Sequence, residues 1–184
     1  MQDVIVCKFG GSSVANAEQI EKVKNIIEEN RNRKYIVVSA PGKDSTDSEK
    51  VTDHLFNIAT NGEHFLNQNK KIPAKQSYEA VLGKFTKLIN DLGINGDDIL
   101  SGLKEDLQKD LPAEKKTDFY ASRGEHYNAK VISRYLEKCG LPVKLSLPEE
   151  IGFVVSEDFG NAKVQPETYK NLKVNLKHEE VAII

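Results

Sequence analysis

Val4-Ile5-Val6-Cys7-Lys8-Phe9-Gly10-Gly11-Ser12-Ser13-Val14-Ala15 is an apolar run broken by one lysine, then two glycines, two hydroxyls and the start of a polar segment. The part from Val4 to Phe9 is short and rich in β-branched residues, so it reads as a strand buried on both faces. Gly10-Gly11 ends it in a tight turn, and an amphipathic helix over Ala17–Asn30 follows. A glycine turn between a buried strand and a helix exposes backbone N–H groups, and the helix dipole reinforces them. Such a turn attracts anions, above all phosphate. Lys8 stands at the end of the strand, where its ammonium either reaches the same anion or snorkels to solvent. The pattern is neither Gly-x-Gly-x-x-Gly nor a Walker A loop, so the mechanics of those motifs do not transfer.

Working outward, Asn16-x-x-Gln19 matches a capping box for that helix. Ala17, Ile20, Val23 and Ile27 form its apolar stripe. Tyr35-Ile36-Val37-Val38 is a second buried strand. Strand, helix, strand in this order implies a right-handed crossover and a parallel sheet. Ser39-Ala40-Pro41-Gly42 leaves the second strand at its carboxyl end, where open α/β sheets place their ligand crevice. Gly10, Gly11 and Ser39 are therefore expected on one edge of the sheet. The polar stretch Lys43–Lys50 reads as a loop with solvated lysines. Val51–Ala59 turns helical, with Thr52 in its first turn as a cap or as a hydroxyl offered to a ligand.

Ser77–Leu92 and Asp97–Asp110 read as amphipathic helices, the second an exposed one with Ile99, Leu100, Leu103 and Leu107 packing. Ser122-x-x-Glu125 matches another capping box, under which Glu125 only satisfies a backbone N–H and a helix begins there. Gly140 and Pro142 end that helix. Val143-Lys144-Leu145 and Phe153-Val154-Val155 are strand candidates, and Thr168–Lys173 is a short polar helix. Val181-Ala182-Ile183-Ile184 is an apolar strand with no turn or cap after it. That ending is expected of a chain cut from a longer one, and it is expected to leave an exposed edge that pairs with other chains.

At 184 residues, the chain is long enough for one domain with a sizeable core. Lys plus Arg (26) and Asp plus Glu (28) nearly balance, giving a net charge of −2 and no basic stripe for nucleic acid. Neither a signal peptide nor a long apolar span is visible, so a cytoplasmic chain without membrane contact is expected. Cys7 and Cys139 cannot build a disulfide framework. His54, His64, His126 and His178 lack zinc-ligand spacing, so no metal site is expected.

Lys8-Phe9-Gly10-Gly11-Ser12-Ser13-Val14, Val37-Val38-Ser39-Ala40, Val51-Thr52-Asp53, Ser122-x-Gly124-Glu125 and Phe159-Gly160-Asn161-Ala162 occur here in one order. This ordered set resembles the aspartate kinases of the amino-acid kinase superfamily, and it runs over nearly the whole chain. Ser12 stands where the family has threonine and keeps the hydroxyl. The resemblance implies a three-layer α/β/α fold with a mainly parallel sheet. It implies ATP-dependent phosphorylation of the side-chain carboxylate of L-aspartate, with Mg²⁺ arriving on the ATP, and a homo-oligomeric parent enzyme. By the same resemblance Lys8 neutralises the transferring phosphoryl group, and Gly10, Gly11 and Ser12 hold its oxygens. Ser39 and Thr52 hydrogen-bond aspartate, and Glu125 meets its ammonium. The family continues past the last strand into a glycine-rich segment with Arg-Gly-Gly-Ser-Asp, most of the nucleotide site, and regulatory domains. None of these is in this sequence. Residues 1–184 are thus expected to be the amino-terminal part of a catalytic domain, without turnover of its own. The rival readings are an acetylglutamate, glutamate or carbamate kinase, and a non-catalytic α/β module that binds a phosphate-bearing ligand.

Overall fold

The computed structural model describes residues 4–45, 48–66, 69–176 and 180–184. Among them, four strands form one parallel sheet in the order β1-β2-β4-β3, with β1 at Ile5–Phe9, β2 at Arg33–Val38, β3 at Val143–Leu145 and β4 at Val181–Ile183. The helices are α1 (Ala17–Glu29), α2 (Val51–Ala59), α3 (Ala74–Leu92), α4 (Asp97–Asp106), α5 (Ala113–Lys138) and α6 (Pro166–Asn175). The chain steps from β1 through β2 to β3 in one direction and returns to β4. The right-handed β1–α1–β2 crossover and the shared core gather α1 to α5 on one face of the sheet. The α/β class with a parallel sheet is the expected one.

One core joins the helices to the sheet. Ile20, Val23 and Ile27 of α1 meet Ile36 and Val38 of β2, Leu55 of α2, Phe85 of α3, Leu103 of α4 and Ile132 of α5. The expected stripe on α1 is the buried one. Asn16 caps this helix, its Oδ1 accepting from the Gln19 N–H at 3.0 Å.

Five expectations need correction. The first strand is not buried on both faces: β1 is an edge, and Val6 is 64% exposed. Successive strand residues face opposite sides, so Phe9 reaches the helical core while Val6 and Lys8 face away from it. The last strand is no edge. β4 lies between β2 and β3 and is buried along its length, with Ile184 N–H donating to the Ile36 carbonyl at 2.8 Å. Ser122-x-x-Glu125 caps nothing, because α5 runs unbroken from Ala113. The Ser122 hydroxyl instead donates back to the Phe119 carbonyl at 2.8 Å. The helix expected over Asp97–Asp110 is α4 and ends earlier, at Asp106, while Ile99, Leu103 and Leu107, expected to pack, are buried. Phe153-Val154-Val155 joins no sheet. Val155 makes one antiparallel bridge to Val164, closing a small hairpin outside the sheet. Its tip is tied to α5 by the Gly160 N–H, which donates to Asp118 at 2.6 Å.

Candidate functional site

The carboxyl ends of β1 and β2 open into a cleft of about 480 Å³. Two loops build it. After β1 the chain makes a 3-10 turn over Gly11–Val14, which separates Gly10 from α1. The Asn16 cap, in turn, marks the start of α1 beyond that 3-10 turn. Gly11 and Ser12 of the 3-10 turn form that wall of the cleft.

The second loop follows β2. Its Ser39 N–H donates to the Phe9 carbonyl at 3.1 Å, continuing the sheet register, and the Gly42 N–H donates to the Gly11 carbonyl at 2.9 Å. The two loops touch backbone to backbone. A Cβ on Gly42 would lie 2.6 Å from the Gly11 carbonyl carbon and 2.8 Å from the Ser12 nitrogen. Only a glycine permits that approach.

Five of the expected site residues, Gly11, Ser12, Ser39, Thr52 and Glu125, line this one cleft. Thr52 arrives at the start of α2, and its hydroxyl caps nothing there. Glu125 arrives from the middle of α5. Lys8 and Gly10 do not line the cleft. They stand beside it on the edge strand, where Lys8 is exposed and its Nζ lies 3.8 Å from where a Gly10 Cβ would be.

The sequence reading passed over four residues. Lys43 and Lys50, read as solvated loop charges, also line the cleft. Gly42 makes the loop contact described above. Asn128, fully buried, donates from Nδ2 to the Ser39 carbonyl at 2.7 Å and fixes the loop that carries Ser39. A signal for Asn128 was present. It falls one helical turn after Gly124, as a polar residue on an otherwise apolar stripe. Gly124 shows why that face must be small: a Cβ there would meet the Ala40 Cβ at 2.6 Å. The cleft thus combines one carboxylate, two ammonium groups, hydroxyls and a glycine-rich backbone wall. That chemistry suits a small zwitterion carrying extra negative charge.

The helix that presents Glu125 is held by a buried polar cluster. Asp106 of α4 accepts from Arg123 at 2.9 Å, from the Tyr127 hydroxyl at 2.9 Å and from Lys109 at 2.6 Å. Burial alone would raise the Asp106 carboxyl. The hydrogen bonds from Lys109, Arg123 and Tyr127 outweigh it and hold the carboxyl at about 2. Burial, reinforced by the Arg123 and Lys130 charges, pushes the His126 imidazole down to about 4 from its ordinary 6.5. The fold therefore holds His126 neutral, and the unfolded chain takes up its proton first. Stability from this group is present above pH 6.5 and is lost as pH falls to about 4. Asp106 adds a further loss as pH falls from its ordinary 3.8 toward about 2. Urea unfolding measured against pH should show the first slope, and His126→Gln should flatten it. An unchanged slope in His126→Gln would remove His126 from this role.

Among the described residues, no helix is long and apolar enough to cross a membrane. The amino acid kinase family profile matches residues 3–184. Aspartokinase 3 of Bacillus subtilis is 36% identical over 172 residues, covering 91% of this chain and 36% of that protein. The chloroplastic aspartokinase 2 of Arabidopsis thaliana is 32% identical over 170 residues, covering 89% of this chain and 30% of its own length. The chain thus spans about a third of these relatives. The crystal structure of Clostridium acetobutylicum aspartate kinase superposes with a TM-score of 0.70 at 28% identity, over 97% of this chain and 37% of that one. Escherichia coli aspartokinase III in complex with aspartate and ADP superposes at 0.75 over 97% of this chain and 39% of that one, and at 16% identity it speaks to the fold alone. With the profile matching nearly every residue and the sheet and helices matching those of solved relatives, the chain belongs to the amino acid kinase family.

Proposed function

We propose that this chain is the aspartate-holding part of an aspartate kinase catalytic domain, acting in amino-acid biosynthesis. The observation that carries the reading is the convergence of Ser39, Thr52 and Glu125 on the cleft walled by Gly11 and Ser12. Those five positions lie on four separate stretches of sequence and meet only in the fold. The relatives named above, all aspartokinases, support aspartate over glutamate or carbamate as the substrate.

In this reading, Glu125 pairs with the substrate ammonium, and the Ser39 and Thr52 hydroxyls donate to its carboxylates. A side-chain carboxylate oxygen of aspartate attacks the γ-phosphorus of ATP, the bond to the ADP oxygen breaks, and an acyl phosphate and ADP result. Such transfers are mostly positioning and charge stabilisation. Backbone N–H groups of Gly10 and Gly11, with Ser12, hold the phosphoryl oxygens, and Lys8 neutralises their charge from outside the cleft. Mg²⁺ would arrive on the ATP phosphates and would neutralise part of their charge. A cytoplasmic, homo-oligomeric parent enzyme fits this assignment.

The test joins residues 1–184 to the part of the Bacillus subtilis enzyme that follows its matched region. ADP release by the chimera should depend on L-aspartate, whereas L-glutamate-dependent release would contradict the reading. The 184-residue chain alone should show no turnover, and aspartate-dependent ATP consumption by it would overturn that part.

A further inference from the structure

Lys43 reaches the cleft from a stretch pinned on both sides. Before it, the Gly42 N–H bonds the Gly11 carbonyl, and Gly42 packs against the Gly11 backbone with no room for a side chain. After it, Asp44 accepts from Lys84 of α3 at 2.7 Å, across forty residues of sequence. Both side chains of this pair are buried, at 7% and 6% exposure. Burying an ion pair costs desolvation that its attraction barely offsets, and its attested use is to fix a geometry. What this pair fixes is the path of residues 42–44, which leaves Lys43 among the residues lining the cleft, next to the loop of Gly11 and Ser12. A lysine whose backbone is held from both sides beside a backbone N–H wall is a cation with its main-chain ordering cost met before a ligand arrives.

We propose that Lys43 is an anion-binding residue of the cleft and that the buried Asp44–Lys84 pair is its positioning device. The ligand group is an anionic oxygen cluster, either a carboxylate of the amino acid or a phosphate. Only the choice between these sources rests on the aspartate kinase reading.

The full 184-residue chain is titrated with L-aspartate and, separately, with inorganic phosphate, following the amide signals of Gly42–Asp44. At least one anion should move them. Lys43→Met should weaken that anion about tenfold, as expected for losing a charged hydrogen bond. Lys84→Met should weaken it about as much, and the double variant no more than either single one, because the two act through one interaction. Lys84→Arg, which keeps the pair, should stay within about threefold of the parent. If Lys84→Met does not fold, Asp44→Asn with Lys84→Met removes both charges and carries the same expectation.

Unmoved signals with both anions, parent-like binding by Lys43→Met, or effects of Lys43→Met and Lys84→Met that multiply would each overturn the proposal. The two readings fail differently. Aspartate shifts at Ser39, Thr52 and Glu125 that ignore Lys43→Met, with phosphate moving nothing, leave the aspartate pocket standing and remove Lys43. A phosphate response that needs Lys43, with no response to aspartate anywhere, does the reverse.

Discussion

Lys8→Ala in the aspartate-dependent chimera lowers kcat by about a hundred- to a thousandfold, the usual cost of losing one preorganised group aimed at transition-state charge. KM for aspartate should change by no more than about threefold. The asymmetry follows from where Lys8 sits. It projects from the exposed face of an edge strand beside Gly10 and is not part of the cleft wall that holds Ser39, Thr52 and Glu125. A group outside the aspartate pocket cannot contribute much to ground-state aspartate binding. It can meet charge that develops on the phosphoryl group beyond the pocket's edge. Steady-state kinetics of the variant check this. A large rise in KM with kcat intact would place Lys8 on the substrate and contradict the assignment.

Gly42→Ala should collapse the cleft while leaving the fold recognisable. The added Cβ would sit 2.6 Å from the Gly11 carbonyl carbon, 2.8 Å from the Gly11 oxygen and 2.8 Å from the Ser12 nitrogen. All three are backbone atoms, so no side chain can swing aside. The loops must separate, which breaks the 2.9 Å bond from Gly42 to Gly11 and moves both the N–H wall and Lys43. Overpacking of this kind costs about 1–3 kcal/mol, and aspartate affinity should fall more than about tenfold. Gly83→Ala is the matched control. It lies on the exposed face of α3 with nothing within 4 Å of the new methyl, and should be neutral or stabilise by up to about 1 kcal/mol. Urea unfolding and ligand titration of both variants check the pair. Equal behaviour of the two would show that the loop contact does not matter.

What the sequence made legible was what is local. The strand before Gly10, the cap at Asn16, the buried stripe of α1 and the turn at Gly140 each depend on a few neighbouring residues, and each stands in the structure. The shared edge of Gly11 and Ser39 followed from one topological rule. Sheet order did not follow, because β4 enters between β2 and β3 through a pairing with β2 across more than a hundred residues, which no periodicity records. Ser122-x-x-Glu125 misled because a capping box and a mid-helix Ser and Glu share the same spacing. The difference lies in the ten helical residues from Ala113 upstream of Arg123, whose charge-rich face looked like plain surface. Lys43 was hidden for another reason. A lysine in a polar loop is ordinarily solvated, and what turns this one inward is a glycine contact with the preceding loop and an ion pair forty residues away.

The central claim is that the cleft between the two loops is an L-aspartate pocket. An amide NMR titration of the 184-residue chain with L-aspartate and L-glutamate in parallel tests it most directly. The account predicts dispersed signals, with shifts at Ser39, Thr52 and Glu125 for aspartate alone in the millimolar range. Dispersed signals that neither amino acid moves, or that glutamate moves as much as aspartate, would contradict it.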